Sequence, residues 1–479
     1  MHQKRDMDNC YRPQYHFTPP SGWMNDPNGL VWHDGKYHLY YQWNPHSTCW
    51  DSMHWGHAVS DDLIGWQDRP QVFEPEARQT DYFSGSAVYD QNNTSGFFDT
   101  QPSGGLVAVY THRDKARQEQ AIAYSSDKGD SFVLYDGNPV IANPGVPDFR
   151  DPKAFWMEKT KCWHIIMARG DLLEFYASHD LKVWEKTGDF GTSYGLHTGF
   201  WECPDMFPLK PEGETTEKWI IMAGDSPSSR TQYFIGHFDG KTFTCDDSPD
   251  VIRLTDFGYD NYSGQTYNDT PDGRRIQIAW LNSTRLWNCT PTDTWRGMYS
   301  IPRELSLQCK DNEYQLYSMP VKEIERYRTD LFSYSGSLAD GLTALPFQGR
   351  CLDIDLTLRL KDANRAGIAL AMDGPEMLEI GYDDIRGRVY VDRSRAGNIN
   401  FPGCGCVLPL RAEAPAKLSG GEIKLRILLD RCSVEVFING GERCISSLFY
   451  PIREGKIAML FADGSVYADA RAWIMKPIW

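Results

Sequence analysis

Short β-type runs recur along the chain, and no stretch holds a helical period for long. Lys36-Tyr37-His38-Leu39-Tyr40-Tyr41-Gln42, Leu106-Val107-Ala108-Val109-Tyr110, Trp163-His164-Ile165-Ile166-Met167 and Trp219-Ile220-Ile221-Met222 are examples, separated by Gly, Asp, Asn and Pro clusters. The chain reads as all-β. A weak repeat runs through its first part. Ser60-Asp61-Asp62-Leu63-Ile64-Gly65-Trp66, Ser126-Asp127-Lys128-Gly129-Asp130-Ser131-Phe132, Ser178-His179-Asp180-Leu181-Lys182-Val183-Trp184 and Phe238-Asp239-Gly240-Lys241-Thr242-Phe243 each join a polar turn to an inward aromatic. The closing aromatics are 66, 52 and 59 residues apart. A period of roughly 50 to 65 residues suits one four-stranded propeller blade. Asp311-Asn312-Glu313-Tyr314 offers the turn of a fifth blade.

The texture changes near Arg326. Charged Lys322-Glu323-Ile324-Glu325-Arg326-Tyr327-Arg328 predicts a short helical linker. Alternating strands follow at Cys351–Leu358, Gly367–Met372, Lys424–Leu429 and Ser433–Ile438, the last leading into the turn Asn439-Gly440. Period-two runs joined by such turns predict an antiparallel β-sandwich. The predicted organisation is a β-propeller over 1–325 and a β-sandwich over 331–479.

Composition changes this picture little. With 479 residues the chain exceeds what one core usually supports, which agrees with two domains. Sixteen Trp and 25 Tyr suit sheet surfaces and also stacking on sugar rings. A formal charge of -16 disfavours nucleic acid and anionic lipid as partners. No apolar stretch follows Lys4-Arg5, and no run of about 18 apolar residues occurs, so neither a secretory signal nor a membrane helix is expected. The 12 cysteines are scattered, with one tight pair at Cys404-Gly405-Cys406. Free thiols in a cytoplasmic protein are the expectation.

Three acids sit in unusual settings: Asp26 in Trp23-Met24-Asn25-Asp26-Pro27-Asn28-Gly29, Asp151 in Phe149-Arg150-Asp151-Pro152, and Glu202 in Trp201-Glu202-Cys203-Pro204-Asp205. Pro27 and Pro152 predict that the acids before them are held extended. Glycoside cleavage needs an ionised carboxylate beside the anomeric carbon and a protonated carboxyl beside the leaving oxygen. A propeller would bring the three together around its channel, although they lie 125 and 51 residues apart.

With Phe83-Ser84-Gly85-Ser86, these motifs resemble glycoside hydrolase family 32, the invertase, inulinase and levanase family. Leu429-Asp430-Arg431-Cys432-Ser433-Val434-Glu435-Val436-Phe437 resembles that family's sandwich motif, so the likeness spans essentially the whole chain. It implies a five-bladed β-propeller followed by a C-terminal β-sandwich, and a retaining, exo-acting β-fructofuranosidase that removes terminal fructose from sucrose and short fructans. Asp26 would be the nucleophile, Glu202 the acid and base, and Asp151 the stabiliser of the transition state, with Arg150 nearby. Asn25, Gln42, Trp50, Phe83, Ser84 and Trp280 would line the sugar pocket. No cofactor and no metal are implied, a small sugar is the partner, and a homo-oligomer is possible.

Other readings sharpen these expectations. Trp23, Met24 and Trp201 suit packing, and Cys203 suits a buried inert thiol. His54 and His57 lack a third metal ligand in sight. Asp260-Asn261-Tyr262-Ser263 and Thr284, near Trp287, depart from the family pattern, and both loops are expected to face the leaving group. A fructosyltransferase is the first alternative. A sucrose-6-phosphate hydrolase would need a cation there, and Arg285, the candidate, reads as an exposed surface arginine. A non-catalytic sugar-binding propeller would have lost one of the acids. The Asp and Glu of the C-terminal half, Glu435 included, are read as solvent-facing members of alternating strands.

Overall fold

The computed structural model describes residues 10–76, 80–99, 103–115, 117–401 and 409–478, so the Cys404-Gly405-Cys406 pair lies outside the described residues. Five antiparallel sheets follow one another in sequence, led by the strands Gly22–His33, Thr80–Asp90, Phe149–Met157, Trp201–Leu209 and Tyr262–Thr266. Each leading strand pairs with the next strand in the chain, as a meander does. The first sheet gains a parallel partner from late in the chain, Trp295–Arg296 on Gly22–Trp23. The five leading strands touch in a closed cycle, each packed on the next and the fifth on the first.

The sequence repeat falls at one place in each sheet, the hairpin between its third and fourth strands. Its aspartate builds the turn. Asp62 accepts from the backbone N–H of Ile64 and Gly65 at 3.1 and 2.9 Å. Asp180 does the same with Lys182 and Val183, and Asp239 with Lys241 and Thr242. These are Asx turns, which satisfy backbone donors that a sharp reversal would orphan. The wedges between sheets explain the aromatic content. Tyr40, Trp55, Phe73, Tyr82 and Tyr110 fill the seam of the first two sheets, and Phe155, Phe175, Phe190, Trp201 and Phe234 that of the third and fourth.

The 3₁₀ helix Lys322–Tyr327 stands where the charged linker was expected. Beyond it lie two six-stranded sheets whose facing aliphatic residues, among them Leu352, Ile368, Leu378, Ile427 and Leu460, form one core.

The two halves meet on buried charge, which corrects the reading of the C-terminal acids as solvent-facing. Asp430 and Glu435 are both fully buried. His16 bonds Asp430 at 2.8 Å through Nδ1 and Glu435 at 3.0 Å through Nε2. Arg303 donates to Glu435 at 3.1 Å and to Asp256 at 2.9 Å. Burial alone would lower the His16 pKa, but the bonds to Asp430 and Glu435 and their charges raise it to about 9. For Glu435 burial acts upward, and Arg303 and His16 overcome it, holding the carboxyl at about 2. The strand alternation failed here because buried partners replace water for both acids.

Candidate active site

One device recurs in all five leading strands. The pairing slips by one residue near the start of each, so two residues oppose one. Asn25 and Asp26 stand opposite Gln42. Phe83 and Ser84 oppose Thr111, Asp151 and Pro152 oppose Met167, Cys203 and Pro204 oppose Ala223, and Ser263 and Gly264 oppose Ala279. A β-bulge bends its strand and re-aims a side chain. Five bulges at one level of a closed cycle aim their residues at one place. Asp151, Cys203 and Ser263 pay for this with left-handed φ values of 64°, 48° and 54°. The extended conformation predicted for Asp151 from Pro152 is therefore wrong; the bulge overrides the proline's preference.

The three acids converge. Glu202 accepts from Arg150 Nη2 at 3.0 Å on one oxygen and from the Tyr262 hydroxyl at 2.9 Å on the other. Arg150 Nε lies 3.8 Å from Asp151, and Asp148 anchors the same guanidinium at 2.5 Å. Asp151 accepts the backbone N–H of Cys203 at 2.9 Å. The Cys203 thiol reaches Asp26 at 3.4 Å and Asp151 at 3.6 Å. Burial lifts its pKa well above the ordinary thiol value, so it stays a neutral S–H. The reading of a buried, inert thiol agrees with this, but it did not foresee the thiol's place between two carboxylates.

Burial also raises Asp151, against the pull of Arg150, to about 7, with Glu202 and Asp26 adding like charge. Asp26 is raised by burial and by the Glu202 charge, while hydrogen bonds from Ser84, Ser263 and Cys203 oppose the shift. The cluster thus resists carrying three negative charges at once.

The predicted pocket residues form a relay ending on Asp26. Trp23 Nε1 donates to Asn25 at 3.0 Å, Asn25 Nδ2 to Gln42 at 3.4 Å, Gln42 Nε2 to Ser84 at 2.6 Å, and Ser84 Oγ to Asp26 at 2.8 Å. Trp23, read as packing, is its first donor. Trp50 and Phe83 meet at 6.0 Å beside this relay. Arg113 covers both rings at 5.4 and 4.9 Å and is held by Asp81. The sequence reading missed Arg113, since nothing local marks it. Trp280 is buried edge-on against Trp23 at 5.8 Å. Among the described residues the buried Trp280 Nε1 has no hydrogen-bond partner, whereas the buried Ser263 hydroxyl sits against Asp26 and Cys203 and favours their charged forms.

Two further expectations are corrected. Asp260 does not face a leaving group; it turns to the C-terminal half, where Arg393 and the Leu448 N–H bind it at 2.5 and 2.8 Å. Tyr262, two residues on, is the one that reaches Glu202. Thr284, in the loop that also carries Trp287, donates to the Ser226 carbonyl at 3.0 Å. Arg285 is half-buried, with its guanidinium over the Tyr259 ring at 5.6 Å, rather than an exposed surface arginine. His54 and His57 take separate partners, the Ser52 carbonyl at 2.7 Å and His38 at 3.1 Å.

Residues 16–320 match the family model for the glycosyl hydrolases family 32 N-terminal domain, and residues 323–474 match that for the C-terminal domain. A levanase of Bacillus subtilis is 41% identical over 469 residues, covering 95% of this chain and 68% of its own. The extracellular exo-inulinase of Aspergillus awamori is 34% identical over 516 residues, covering 98% and 95%. A crystal structure of exo-inulinase from that organism superposes with a TM-score of 0.92 at 32% identity, covering 98% of this chain and 99% of that one. The fructofuranosidase of Schwanniomyces occidentalis complexed with fructose gives 0.89 at 28% identity, covering 99% and 100%.

Proposed function

The chain belongs to glycosyl hydrolase family 32, and on that premise we propose how its three acids divide the work. The protein is an exo-acting β-fructofuranosidase, releasing terminal fructose from sucrose and fructooligosaccharides. The observation that carries the division is the meeting of Asp26, Asp151 and Glu202 from three different sheets around Arg150 and Cys203. Asp26 attacks the anomeric carbon of a terminal fructose while Glu202 gives its proton to the departing oxygen. The bond from carbon to the leaving sugar breaks and a fructosyl ester on Asp26 forms. Glu202 then takes a proton from water, whose oxygen displaces Asp26 and frees fructose with retained configuration. Asp151 accepts hydrogen bonds from the sugar hydroxyls, and Arg150 orients both acids. Retention calls for carboxyls about 5 to 5.5 Å apart.

The relay from Trp23 to Ser84 fixes the Asp26 carboxylate, and the Ser263 hydroxyl supports the same carboxylate from the fifth sheet. Trp287 is 42% exposed and stands 6.2 Å from Trp50 and 6.4 Å from Trp23, which supports its use as a platform for the leaving sugar. The five sheets, closed on themselves, are read as blades of a five-bladed propeller over 1–325, with a β-sandwich over 331–479. For location, the ten cysteines among the described residues are free, which suits the cytoplasm. The Aspergillus relative is called extracellular, so that reading leans on the thiols alone, and cell fractionation decides it.

Product chromatography on sucrose and an inulin-type oligomer tests the whole reading. Free fructose should appear from the first minutes. Early release of mixed oligomers with little fructose would overturn exo action, and fructosylated sucrose as main product would make the enzyme a transferase.

A further inference from the structure

A second cavity of about 830 Å³ opens at the other end of the leading strands. The bulges lie near the strand starts, whereas this cavity is lined by Tyr89, Phe155, Trp156 and Phe207 from the strand ends. Four or five residues of extended chain separate Asp151 from Phe155 and Glu202 from Phe207, roughly 13–17 Å. The cavity is therefore distinct from the acid cluster, and none of its residues enters the reaction above. Its volume falls in the range of about 300–1,000 Å³ typical of small-molecule sites.

Its lining pairs flat rings with polar edges. Trp156 and Trp219 are half-buried. Trp156 is braced edge-on by Trp163 at 5.0 Å and through its Nε1 by Glu158 at 2.8 Å, so its plane is fixed. Trp219 rests against Phe155 at 5.5 Å and Phe238 at 5.4 Å. Asp269 stays open to solvent within the concavity, where crowding by protein raises its carboxyl above the ordinary range. It is set at φ 59° and tied at one oxygen to the Tyr89 N–H at 3.3 Å. Arg275 lies over the Phe207 ring at 4.9 Å and donates to the Tyr267 carbonyl at 3.0 Å, yet its Nε has no partner among the described residues.

We propose that this cavity is a second, non-catalytic saccharide site that takes a neutral oligosaccharide of the substrate's own fructoside class. Rings offer their faces to the C–H side of a sugar, while a carboxylate and a guanidinium side by side accept from and donate to its hydroxyls. Glu158, Glu217 and Asp269 roughly balance Lys159 and Arg275 in the lining, which suits a neutral sugar better than a sugar phosphate. A chain-end bound at the catalytic face and another segment held here would keep the enzyme on polymeric substrate. The choice of fructoside rests on the proposed activity; the existence of the site does not.

Calorimetric titration of the full-length Asp26→Ala protein with an inulin-type tetrasaccharide tests it. Two sites per chain are expected. Adding Trp156→Ala or, separately, Asp269→Asn should remove one of them or weaken it at least about tenfold, and leave the other. Trp156→Ala alone should turn over sucrose at the wild-type rate, because it touches nothing in the catalytic site. The solvent-facing Asp269→Asn supplies the same readout should the tryptophan variant not fold. One site per chain in the Asp26→Ala protein, unaffected by either further substitution, overturns the proposal, as do two sites that both survive them. A failure of the catalytic reading would show instead as absent turnover by the wild-type protein, which the titration does not use.

Discussion

Asp151 is held at a conformational and an electrostatic cost together. Its φ of 64° is a left-handed value that a non-glycine residue adopts at about 1–3 kcal/mol. Burial raises its folded pKa to about 7 from an ordinary 3.8. The folded state therefore holds a proton that the unfolded chain has released, and stability is lost as pH rises from about 4 through about 7. Asp151→Asn abolishes that penalty. Its Tm should exceed the wild-type value by several degrees at pH 8 and by far less at pH 4, while activity collapses. Equal shifts at both pH values in a calorimetric scan would refute the burial argument. Glu202 and Asp26 separate by leaving group. A sugar alkoxide needs a proton to depart, but a phenolate does not. Glu202→Ala should thus lose about 10²–10⁴-fold on sucrose and far less on an aryl fructoside in single turnovers. Asp26→Ala should fail on both, since either substrate needs the nucleophile. The opposite pattern would exchange the two roles.

The element that decides the site is the bulge, and it is the feature the sequence hides best. Strands and Asx turns were legible because alternation and Ser-x-Asp turns leave a periodic trace. The repeat at Trp66, Phe132, Trp184 and Phe243 marks third-to-fourth-strand hairpins, far from the chemistry. The acids were legible as motifs, but their convergence was not. A single slipped pair at Asn25-Asp26 or Cys203-Pro204 changes no composition and no hydrophobic period. Arg113 was invisible for a related reason, since it acts across sheets, while Tyr262 stood in a loop expected near the leaving group without a sign that it would reach Glu202. The Asp260 loop was misread because its carboxylate answers to Arg393, 133 residues away. Ser263 offers a test at this scale. Its φ of 54° tolerates glycine, whereas a β-branched side chain there is strained by about 1–2 kcal/mol. Ser263→Val should melt lower than Ser263→Gly. Both should lose the hydroxyl that favours the Asp26 carboxylate, and with it activity on sucrose. Equal melting temperatures would mean that the bulge relaxes.

At the scale of the molecule, the catalytic half depends on the other through charge rather than a greasy seam alone. His16 lies six residues before Gly22, where the strand carrying Asp26 begins, and it is clamped between Asp430 and Glu435 of the C-terminal half. With a folded pKa of about 9 against 6.5 unfolded, its contribution is complete below about pH 6.5 and is lost as pH rises through about 9. That shift corresponds to roughly 3 kcal/mol as an order of magnitude. Glu435 acts on the acid side: its carboxyl sits at about 2 against 4.5, so its share is full above 4.5 and fades as pH falls through about 2. From these two groups alone stability is flat between about pH 5 and 6.5 and falls on either side, and the Asp151 decline between about pH 4 and 7 is added to it. His16→Gln keeps a donor but not the charge, leaving Asp430 and Glu435 facing each other without a cation between them. At pH 6 the variant should unfold at clearly lower urea than wild type. Toward pH 9.5 the gap should close, because the wild-type ring has by then given up its proton. Urea titrations at the two pH values decide the matter. A gap that stays constant would mean that His16 works by shape alone, and the charged clamp would have to be abandoned.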